Sequence, residues 1–532
     1  MSTTTYQEPA PTPLALLLLG RGASGVGAGS WYVVVLTGGC PPVWARLRER
    51  TLFVFLTLSM ITRIGPGGCG RGGNVIHAAL AGLAVYKWRT GPTPDRLKAP
   101  NSDRGRRADR ADRADGKGTR QMSDAAKGER ALRRMLPRSR AEAHRASTPL
   151  ELFFDLCFVV AVAQAGSQLA HALAAGHPGK GLGGYAFVFF AIWWAWVNFS
   201  WFASAYDTDD VAYRLATLVQ ITGALILAAG VPRLFDGQWA VGVVGYLVMR
   251  TALVGQWLRA AGSCTGAQRT VARRYAGGIA AVQVCWVVLL LLPHALHTPL
   301  LPVLVLAELA VPALAERDAQ TTWHPEHIAE RYGLFTLIVL GETVSAATVA
   351  VQSALDEHDA FGDLLPIAVG GLLICFSAWW IYFARPVHGY LKSNRQAFVW
   401  GYGHYLVLAS AAAIGAGLEV SVEHAVGQAH LSGRASAAVV TVPTAVYLFT
   451  VWALHARHTK RGVAQLLLPA ASAAVLATTL IGGSAGVLAA GLVCAATLAT
   501  GLVLQYATGL ENPPPAEDDA EPDAEPDAEP GD

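Results

Sequence analysis

Long apolar segments separated by short polar ones fill the chain from about residue 150 to residue 506. A helix needs about 20 apolar residues to cross the hydrocarbon core of a bilayer. Lipid offers the backbone no hydrogen-bond partner, so a crossing segment must be a helix or a strand of a closed barrel, and the short alternating strands of a barrel are not visible. The pattern therefore predicts an all-α, polytopic bundle of about 12 transmembrane helices. The predicted spans are 150–174, 184–204, 212–231, 238–258, 272–292, 299–315, 330–352, 364–384, 396–418, 436–455, 463–482 and 484–506, of which the sixth is short.

The two ends of the chain differ from this membrane domain, which we place at 149–506. Residues 1–121 contain one apolar run broken by glycines, a second run too short to span, and a charged Ala-Asp-Arg repeat. Such a repeat has no apolar face to bury. We expect 1–121 to be disordered or a mispredicted extension ahead of a start at Met122. We expect 122–148 to be a basic cytoplasmic segment and 507–532 to be an acidic, proline-rich, disordered tail.

The composition agrees with a membrane protein and excludes several other classes. Charged residues make up 15% of the chain, whereas soluble domains average about 25%. We find no phosphate-binding loop, no nucleophile elbow and no paired cysteine spacing, and too few basic residues outside the cytoplasmic loops for a nucleic-acid surface. We therefore predict no enzyme activity, no cofactor, no metal and no nucleic-acid partner. The predicted partner is the lipid bilayer, and association between identical copies stays open.

The positive charges of the loops predict the orientation. With the amino end in the cytoplasm, the cytoplasmic segments hold 20 Lys and Arg residues and the outer loops hold three, as expected from the excess of positive charge inside. Both ends then lie in the cytoplasm. Similar motifs at the starts and ends of corresponding spans also predict a six-plus-six internal repeat, with halves at 149–317 and 323–506. The alternative is that aromatic pairs and interfacial glutamates recur in any membrane helix.

Charged side chains inside the predicted helices are the main functional candidates, because a charge in lipid needs a partner or a water-filled cavity. Arg250, Glu308 and Glu342 lie near mid-depth, and Asp155 lies about 9 Å inside the cytoplasmic boundary at the rise of an α-helix. If Arg250 pairs with one glutamate, the other can carry a proton or bind a cation. We name these four residues as candidates for an ion path. A network of ion pairs that only holds helices together is an equal alternative.

Polar residues at the ends of the spans form a secondary set. Its members are Glu151, Asp207, Asp210, Arg214, His327 and Glu330. For Glu151, we favour a role in complementing the positive amino end of its helix, and for the acidic turn at 207–210 we favour helix capping over an ion vestibule. The spacing of His324, His327 and Glu330 is a weak metal signal, and it is the only candidate for a lipid-modifying enzyme. We interpret the aromatic row at 193–206 as an interfacial belt and helix packing.

Three motifs in order along the chain resemble a known family. They are Thr148-Pro-Leu-Glu-Leu-Phe-Phe-Asp155-Leu, the aromatic and acidic run at 196–210, and His327-Ile-Ala-Glu-Arg-Tyr-Gly-Leu-Phe followed by Leu340-Gly-Glu342. They resemble the bacterial low temperature requirement A (LtrA) family over roughly 138–506. The resemblance implies a multi-pass protein of the bacterial inner membrane, linked by name to growth in the cold. It supplies no catalytic residue and no substrate.

Two functions follow as hypotheses. The first is the movement of a cation, or of a small solute coupled to protons, through a midplane site that contains the intramembrane carboxylates. The second is a non-transporting scaffold or sensor of membrane state that is linked to growth at low temperature.

Overall fold

The computed structural model describes residues 133–140, 142, 145–356, 361–460 and 462–507, together with two short strands near the amino end. The chain divides into two compact units, Met1–Ser102 and Asp103–Asp532. In the first unit, β1 (Leu17–Leu18) pairs antiparallel with β2 (Val33–Val34), a pairing that the all-α prediction did not include. The other predictions for 1–121, and those for 508–532, fall outside the described residues.

Twelve helices of at least twelve residues make up the described part of the second unit. They are α1 (Pro149–Ala174), α2 (Pro178–Tyr206), α3 (Val211–Phe235), α4 (Ala240–Ser263), α5 (Gly266–Leu291), α6 (His294–Ala315), α7 (Pro325–Asp356), α8 (Phe361–Phe383), α9 (Asn394–Ala425), α10 (Gly433–Val451), α11 (Leu467–Thr478) and α12 (Gly483–Ala507). Eleven of them are long and apolar enough to cross a membrane; for α10 this includes its extension to Ala456. The prediction of a polytopic helical bundle is therefore confirmed, with each predicted span falling on one helix.

Several helix ends differ from the predicted spans. α6 begins at His294, five residues before the predicted start, and continues through Pro299 and Pro302. α5 begins at Gly266, six residues before its predicted start, and therefore includes Arg269. Hydropathy marks the part of a helix that lies in lipid, whereas the backbone continues beyond it until a cap ends the helix.

Capping residues fix where the helices begin. Thr148 accepts a hydrogen bond from the backbone of Glu151, whose carboxylate accepts one from the backbone of Thr148, and Pro149 occupies the first turn of α1. Ser393 and Gln396 form the same reciprocal capping box at the start of α9. These side chains satisfy backbone N–H groups that have no partner inside the helix, so the starts of α1 and α9 are well determined.

The helices differ in how deeply they lie in the bundle. In α2 and α9, 78% of the most apolar stretch is buried inside the protein, whereas in α6 and α12 the share is 28%. Apolar faces that the protein does not cover are suited to lipid. α2 and α9 therefore form the centre, and α6 and α12 lie at its periphery.

Glycines bring several helix pairs into close contact. A Cβ atom at Gly223 in α3 would lie 2.7 Å from the carbonyl oxygen of Gly245 in α4, and one at Gly370 in α8 would lie 2.6 Å from that of Val487 in α12. Membrane helices have little hydrophobic drive to associate with each other, so small residues that admit close backbone packing hold such pairs together.

α11 is shorter than the predicted span at 463–482, yet the chain around it runs along the whole of α10. Gln465 donates to the carbonyl oxygens of Arg457 and Lys460 just beyond the end of α10. Ser472 donates to Ala445, and Gly482 lies against Gly433 at the start of α10. The segment therefore runs antiparallel to α10, with a 3-10 turn at Gly462–Gln465 completing its length.

The basic segment before α1 docks against the ends of the helices. Met135 is fully buried and its backbone donates to Ser263 at the end of α4. The buried guanidinium of Arg145 donates to the carbonyl oxygens of Ala203 and Ser204 in the last turn of α2. Because Lys and Arg near a helix carboxyl end complement its negative dipole, this contact stabilises the end of α2.

Candidate functional site

Arg250 and Glu308 form a buried ion pair between α4 and α6. The Glu308 carboxylate also accepts hydrogen bonds from Trp194 Nε1 at 3.0 Å, Gln283 Nε2 at 3.0 Å and Trp286 Nε1 at 3.2 Å. Four helices, α2, α4, α5 and α6, thus converge on one carboxylate. Glu308 has 0% relative exposure, so this is a fully partnered anion rather than an open binding group.

Asp155 forms a second buried ion pair, with Arg331 of α7 at 2.6 Å. Trp196 of α2 donates to the same carboxylate oxygen of Asp155 at 2.6 Å, and Arg331 also donates to Ser200 at 3.2 Å. The second oxygen of Asp155, with Nε and Nη1 of Arg331, has no hydrogen-bond partner in the described part of the chain. Buried polar atoms of this kind are usually satisfied by internal water.

A third pair lies one helical turn from the second. The ring Nε2 of His327 in α7 is 3.2 Å from the carboxylate of Glu151 in α1, and both side chains are fully buried. Glu151 and Asp155 are separated by four residues, as are His327 and Arg331, so each helix presents two polar groups on one face. The two pairs join the amino-terminal halves of α1 and α7.

Glu342 lies in a different environment, on α7 beside α9. Gly415 of α9 packs against the backbone of Glu342 and Thr343, and the Thr343 hydroxyl donates to Ala411 at 3.2 Å. The charged group that acts on the partly buried Glu342 is a second carboxylate, Glu419 of α9. We find no cationic side chain paired with Glu342 within the described ranges. A carboxylate whose charged neighbour is a second carboxylate favours the uptake of a proton or a cation.

The acidic turn between α2 and α3 has a capping role. Asp210 caps α3 by accepting from the backbone of Tyr213 at 2.8 Å, and it pairs with Arg259 at the end of α4. Asp209 has a positive φ of 44° and pairs with Arg214 at 2.7 Å. Asp207 is buried, and burial together with the Glu151 carboxylate raises the pKa of Asp207 to about 6.

The predicted histidine cluster does not converge on one point. His324 contacts the backbone oxygen of Glu142 at 2.9 Å, while His327 contacts Glu151 and Glu330 lies partly buried in α7. Among the described residues, no group of three His, Cys, Asp or Glu side chains is placed to hold a metal ion. His324 and His327 instead provide polar contacts at the amino end of α7.

The four main candidates therefore occupy three separate clusters. Arg250 pairs with Glu308, Asp155 pairs with Arg331, and Glu342 lies on α7 beside α9, which carries Glu419. Of the two mid-depth glutamates, Glu308 is thus the one that pairs with Arg250. Glu342 and Arg250 do not pair, although the sequence predicts similar depths for them. Depth along a helix does not determine which helices are neighbours.

Sequence reasoning missed several partners. Trp194 and Trp196 were interpreted as belt and packing residues, yet their ring N–H groups donate to buried carboxylates. Arg331 and Glu419 were not named as candidates, although each is a charge within a predicted span or at its edge. An indole on the same segment as an intramembrane acid is a signal that could have found the first two, since a buried Trp N–H needs an acceptor.

Two cavities lie between α2, α6 and α9. One of about 30 Å³ is lined by Trp194, Asn198, Tyr275, Tyr402 and others, enough for about one water. The other has a volume of about 550 Å³ and an apolar lining that includes Phe187, Trp193 and Leu301. The larger cavity is a groove suited to apolar groups, and it contains none of the predicted carboxylates.

Comparisons with known proteins agree with the motifs. Residues 146–503 match the family described as "Bacterial low temperature requirement A protein (LtrA)". The chain is 25% identical over 310 residues to "Uncharacterized protein RA0937" of Rhizobium meliloti (strain 1021), a match that covers 53% of this chain and 70% of that protein. No solved structure matches the chain. The resemblance drawn from the motifs is confirmed, and the matched region contains every candidate residue named from the sequence.

Proposed function

The chain belongs to the bacterial low temperature requirement A (LtrA) family, and we propose that it moves a cation, or a small solute coupled to protons, across the bacterial inner membrane. Family membership and the apolar helices make it a multi-pass membrane protein. The proposal concerns what passes through it. It assigns no catalytic residue, because transport needs groups that bind and release, not groups that make or break bonds.

The observation that carries this proposal is the place of Glu342, whose backbone lies against Gly415 of α9, one helical turn before Glu419. The neighbour that acts on Glu342 is therefore of like charge. In a medium of low dielectric constant, two nearby carboxylates repel each other, and a proton or a cation relieves the repulsion. A site whose charge changes when a proton or a cation binds is what a transport cycle requires.

Asp155, Glu308 and Arg250 have a different role in this proposal. Each is already partnered inside the protein, through Arg331 for Asp155 and through the Arg250–Glu308 pair. We propose that they border the path and hold its helices in place, while Glu342 binds. The unpartnered atoms of Asp155 and Arg331 favour internal water at that end of the bundle.

Flux measurements on purified protein in vesicles of phosphatidylethanolamine and phosphatidylglycerol test the proposal. With pyranine inside to report pH, imposed Na⁺, K⁺ and pH gradients are compared. We expect Glu342→Gln and Glu419→Gln to abolish the flux seen with the wild-type protein, since an amide keeps the shape but not the charge. The matched control is Glu423→Gln, one helical turn beyond Glu419. Unchanged flux in a folded Glu342→Gln protein would contradict the proposal.

We also propose the finer arrangement of the bundle. Both ends would lie in the cytoplasm, on the distribution of Lys and Arg, and the helices would form two repeats of six. The equal spacing of the Glu151–His327 and Asp155–Arg331 pairs, 176 residues in each case, supports a parallel arrangement of α1 and α7, as expected for the first helices of two such repeats.

A scaffold or sensor is the second candidate, and one observation favours it. The Glu151–His327 and Asp155–Arg331 pairs connect α1 to α7, and the Arg250–Glu308 pair lies where four helices converge. These buried charges therefore have partners that hold helices together. On this alternative, Glu342→Gln and Arg250→Ala act only through folding. A well-folded Glu342→Gln protein that fails to support growth in the cold would count against it.

A further inference from the structure

Two histidines lie side by side in the second half of the bundle, and the proposed ion path does not use them. His404 of α9 is fully buried, and its ring centre is 5.3 Å from that of His455. His455 belongs to a π-helical turn, Trp452–Ala456, at the end of α10. Single π turns inside helices occur frequently at functional sites.

Hydrogen bonds determine which ring nitrogen of His404 carries the proton. Nδ1 lies 2.8 Å from the carbonyl oxygen of Trp400, which can only accept, so Nδ1 is the protonated nitrogen. Nε2 then holds a lone pair and accepts from the hydroxyl of Tyr382 at 3.0 Å. His404 is therefore a neutral ring whose one free proton site is already aligned with a hydroxyl group.

Aromatic rings surround the His404 ring on several sides. The ring centres of Trp400 and Tyr332 are 4.1 and 5.0 Å from that of His404, and Tyr382 lies at 5.9 Å. An aromatic ring within about 6 Å of a cation can stabilise it. The Trp400 and Tyr332 rings are close enough to His404 for this interaction with its imidazolium form.

We propose that His404 is a proton-binding site and that the proton is the coupling ion of the transport proposed above, on which this inference rests. When Nε2 takes a second proton, it must donate to the Tyr382 oxygen. The Tyr382 hydroxyl then turns its proton away from Nε2. The added proton comes from water: one O–H bond of a hydronium ion breaks, one N–H bond forms at His404, and the tyrosine only reorients.

The place of the site in the fold links it to the carboxylate pair. His404 and Glu419 are on α9, and Tyr332, Thr336 and Glu342 are on α7. Protonation at His404 therefore acts on the same two helices that carry the proposed ion site. The titratable groups that face the histidine pair are Tyr332 and Tyr382, together with His458 beside His455.

Two measurements on the full-length protein test this inference. In the first, ¹⁵N spectra of histidine-labelled protein in detergent follow the imidazole signals of His404, which are assigned by their absence from the spectrum of His404→Gln. We expect the Nδ1-protonated form near neutral pH, a second proton on Nε2 on acidification, and a shifted midpoint in Tyr382→Phe. A ring that never takes the second proton over the pH range in which the protein stays folded would overturn the inference, and it would leave the Glu342 proposal standing.

In the second, proton flux into pyranine-loaded vesicles of phosphatidylethanolamine and phosphatidylglycerol is recorded against external pH. His404→Gln should lower flux at least tenfold, and Tyr382→Phe should shift its pH profile. The matched control, His430→Gln in an exposed loop, should match the wild-type protein. Flux in His404→Gln at the wild-type level and with the wild-type pH profile would overturn proton coupling at His404 but not transport, whereas no flux of any ion in the wild-type protein would overturn both.

Discussion

At the scale of single residues, the Arg250–Glu308 pair is the clearest test of what a buried charge contributes. Both side chains have at most 1% exposure. Removing one partner of such a pair leaves an uncompensated charge and costs about 3–5 kcal/mol. We expect Arg250→Met and Glu308→Gln each to destabilise the protein by that amount, and the double variant to lose much less than the sum. Unfolding in detergent, arranged as a double-mutant cycle, measures the difference.

The exposed pair Lys180–Asp236, at 2.9 Å with more than half of each side chain accessible, is the control for that cycle. Exposed pairs contribute about 0–1 kcal/mol, so Lys180→Met and Asp236→Asn should combine additively. Equal coupling energies for the buried and exposed pairs would contradict the expectation.

Asp207 gives a pH-dependent prediction at the same scale. Burial first, and the Glu151 carboxylate next, raise the pKa of Asp207 from 3.8 to about 6. Below pH 4 the group is protonated in both folded and unfolded protein. Between pH 4 and 6 the unfolded protein releases the proton first, so the folded state loses stability as pH rises, by up to about 3 kcal/mol. Asp207→Asn should therefore be no more stable than wild type at pH 4 and more stable above pH 6.

Unfolding midpoints of both proteins, measured from pH 4 to pH 8, check this. The asparagine keeps the acceptor oxygen that receives the backbone N–H of Asp209 at 2.9 Å, so the turn itself should survive. Parallel curves for the two proteins over the whole range would show that ionisation of Asp207 does not oppose folding.

The charges that are buried in the bundle could be found from the sequence, but most of their partners could not. Arg250 and Glu308 could be placed in the membrane from their positions in apolar runs, because composition reports depth. Their pairing depends on which faces of α4 and α6 meet, and the run of apolar residues does not encode that. Glu419 was missed because its helix, α9, continues to Ala425, seven residues beyond the end of the predicted span.

At the scale of helices, the contact between α8 and α12 depends on glycine. A Cβ at Gly370 would lie 2.6 Å from the Val487 carbonyl oxygen, and one at Gly491 would lie 2.6 Å from that of Gly370. Both neighbours are backbone atoms and cannot rotate away. Gly370→Ala should therefore separate the helices and destabilise the protein by about 1–3 kcal/mol. Gly255→Ala, with nothing within 4 Å of the added carbon, is the control, and equal unfolding midpoints for the two variants would contradict this account.

The helices themselves were largely predictable, and their exceptions have physical reasons. Twelve apolar runs correspond to twelve helices, because a backbone in lipid must make its hydrogen bonds within its own segment. α11 is the exception, since only Leu467–Thr478 is α-helical. Hydropathy could not separate it from a full helix, because the residues before it, at 462–466, and after it, at 479–482, carry no charge.

At the scale of the whole molecule, the course of α11 decides the topology. If the segment around α11 crosses the membrane beside α10, the number of crossings is even and both ends of the chain lie on one side. Its contacts with α10 run from Gln465 against Arg457 to Gly482 against Gly433, which is the full length of that helix. The sequence predicts twelve spans from its apolar runs, supported by the charges of the loops, and the crossing at the short α11 stays a prediction.

This topology predicts the outcome of cysteine labelling in intact cells. In a variant without its seven cysteines, Lys180→Cys, at the amino end of α2, should react with a membrane-impermeant maleimide from outside. Arg457→Cys, just after α10, should react only after the membrane is opened. Ten predicted crossings, α1 to α10, precede this position and place it in the cytoplasm, with the excess of positive charge. Both side chains are exposed, so a difference in labelling reports sidedness and not burial. A cysteine introduced at Gly427, in the turn between α9 and α10, should label from outside like position 180. If 180 and 457 react from the same side, one helix between them does not cross, and the parallel six-plus-six arrangement fails with it.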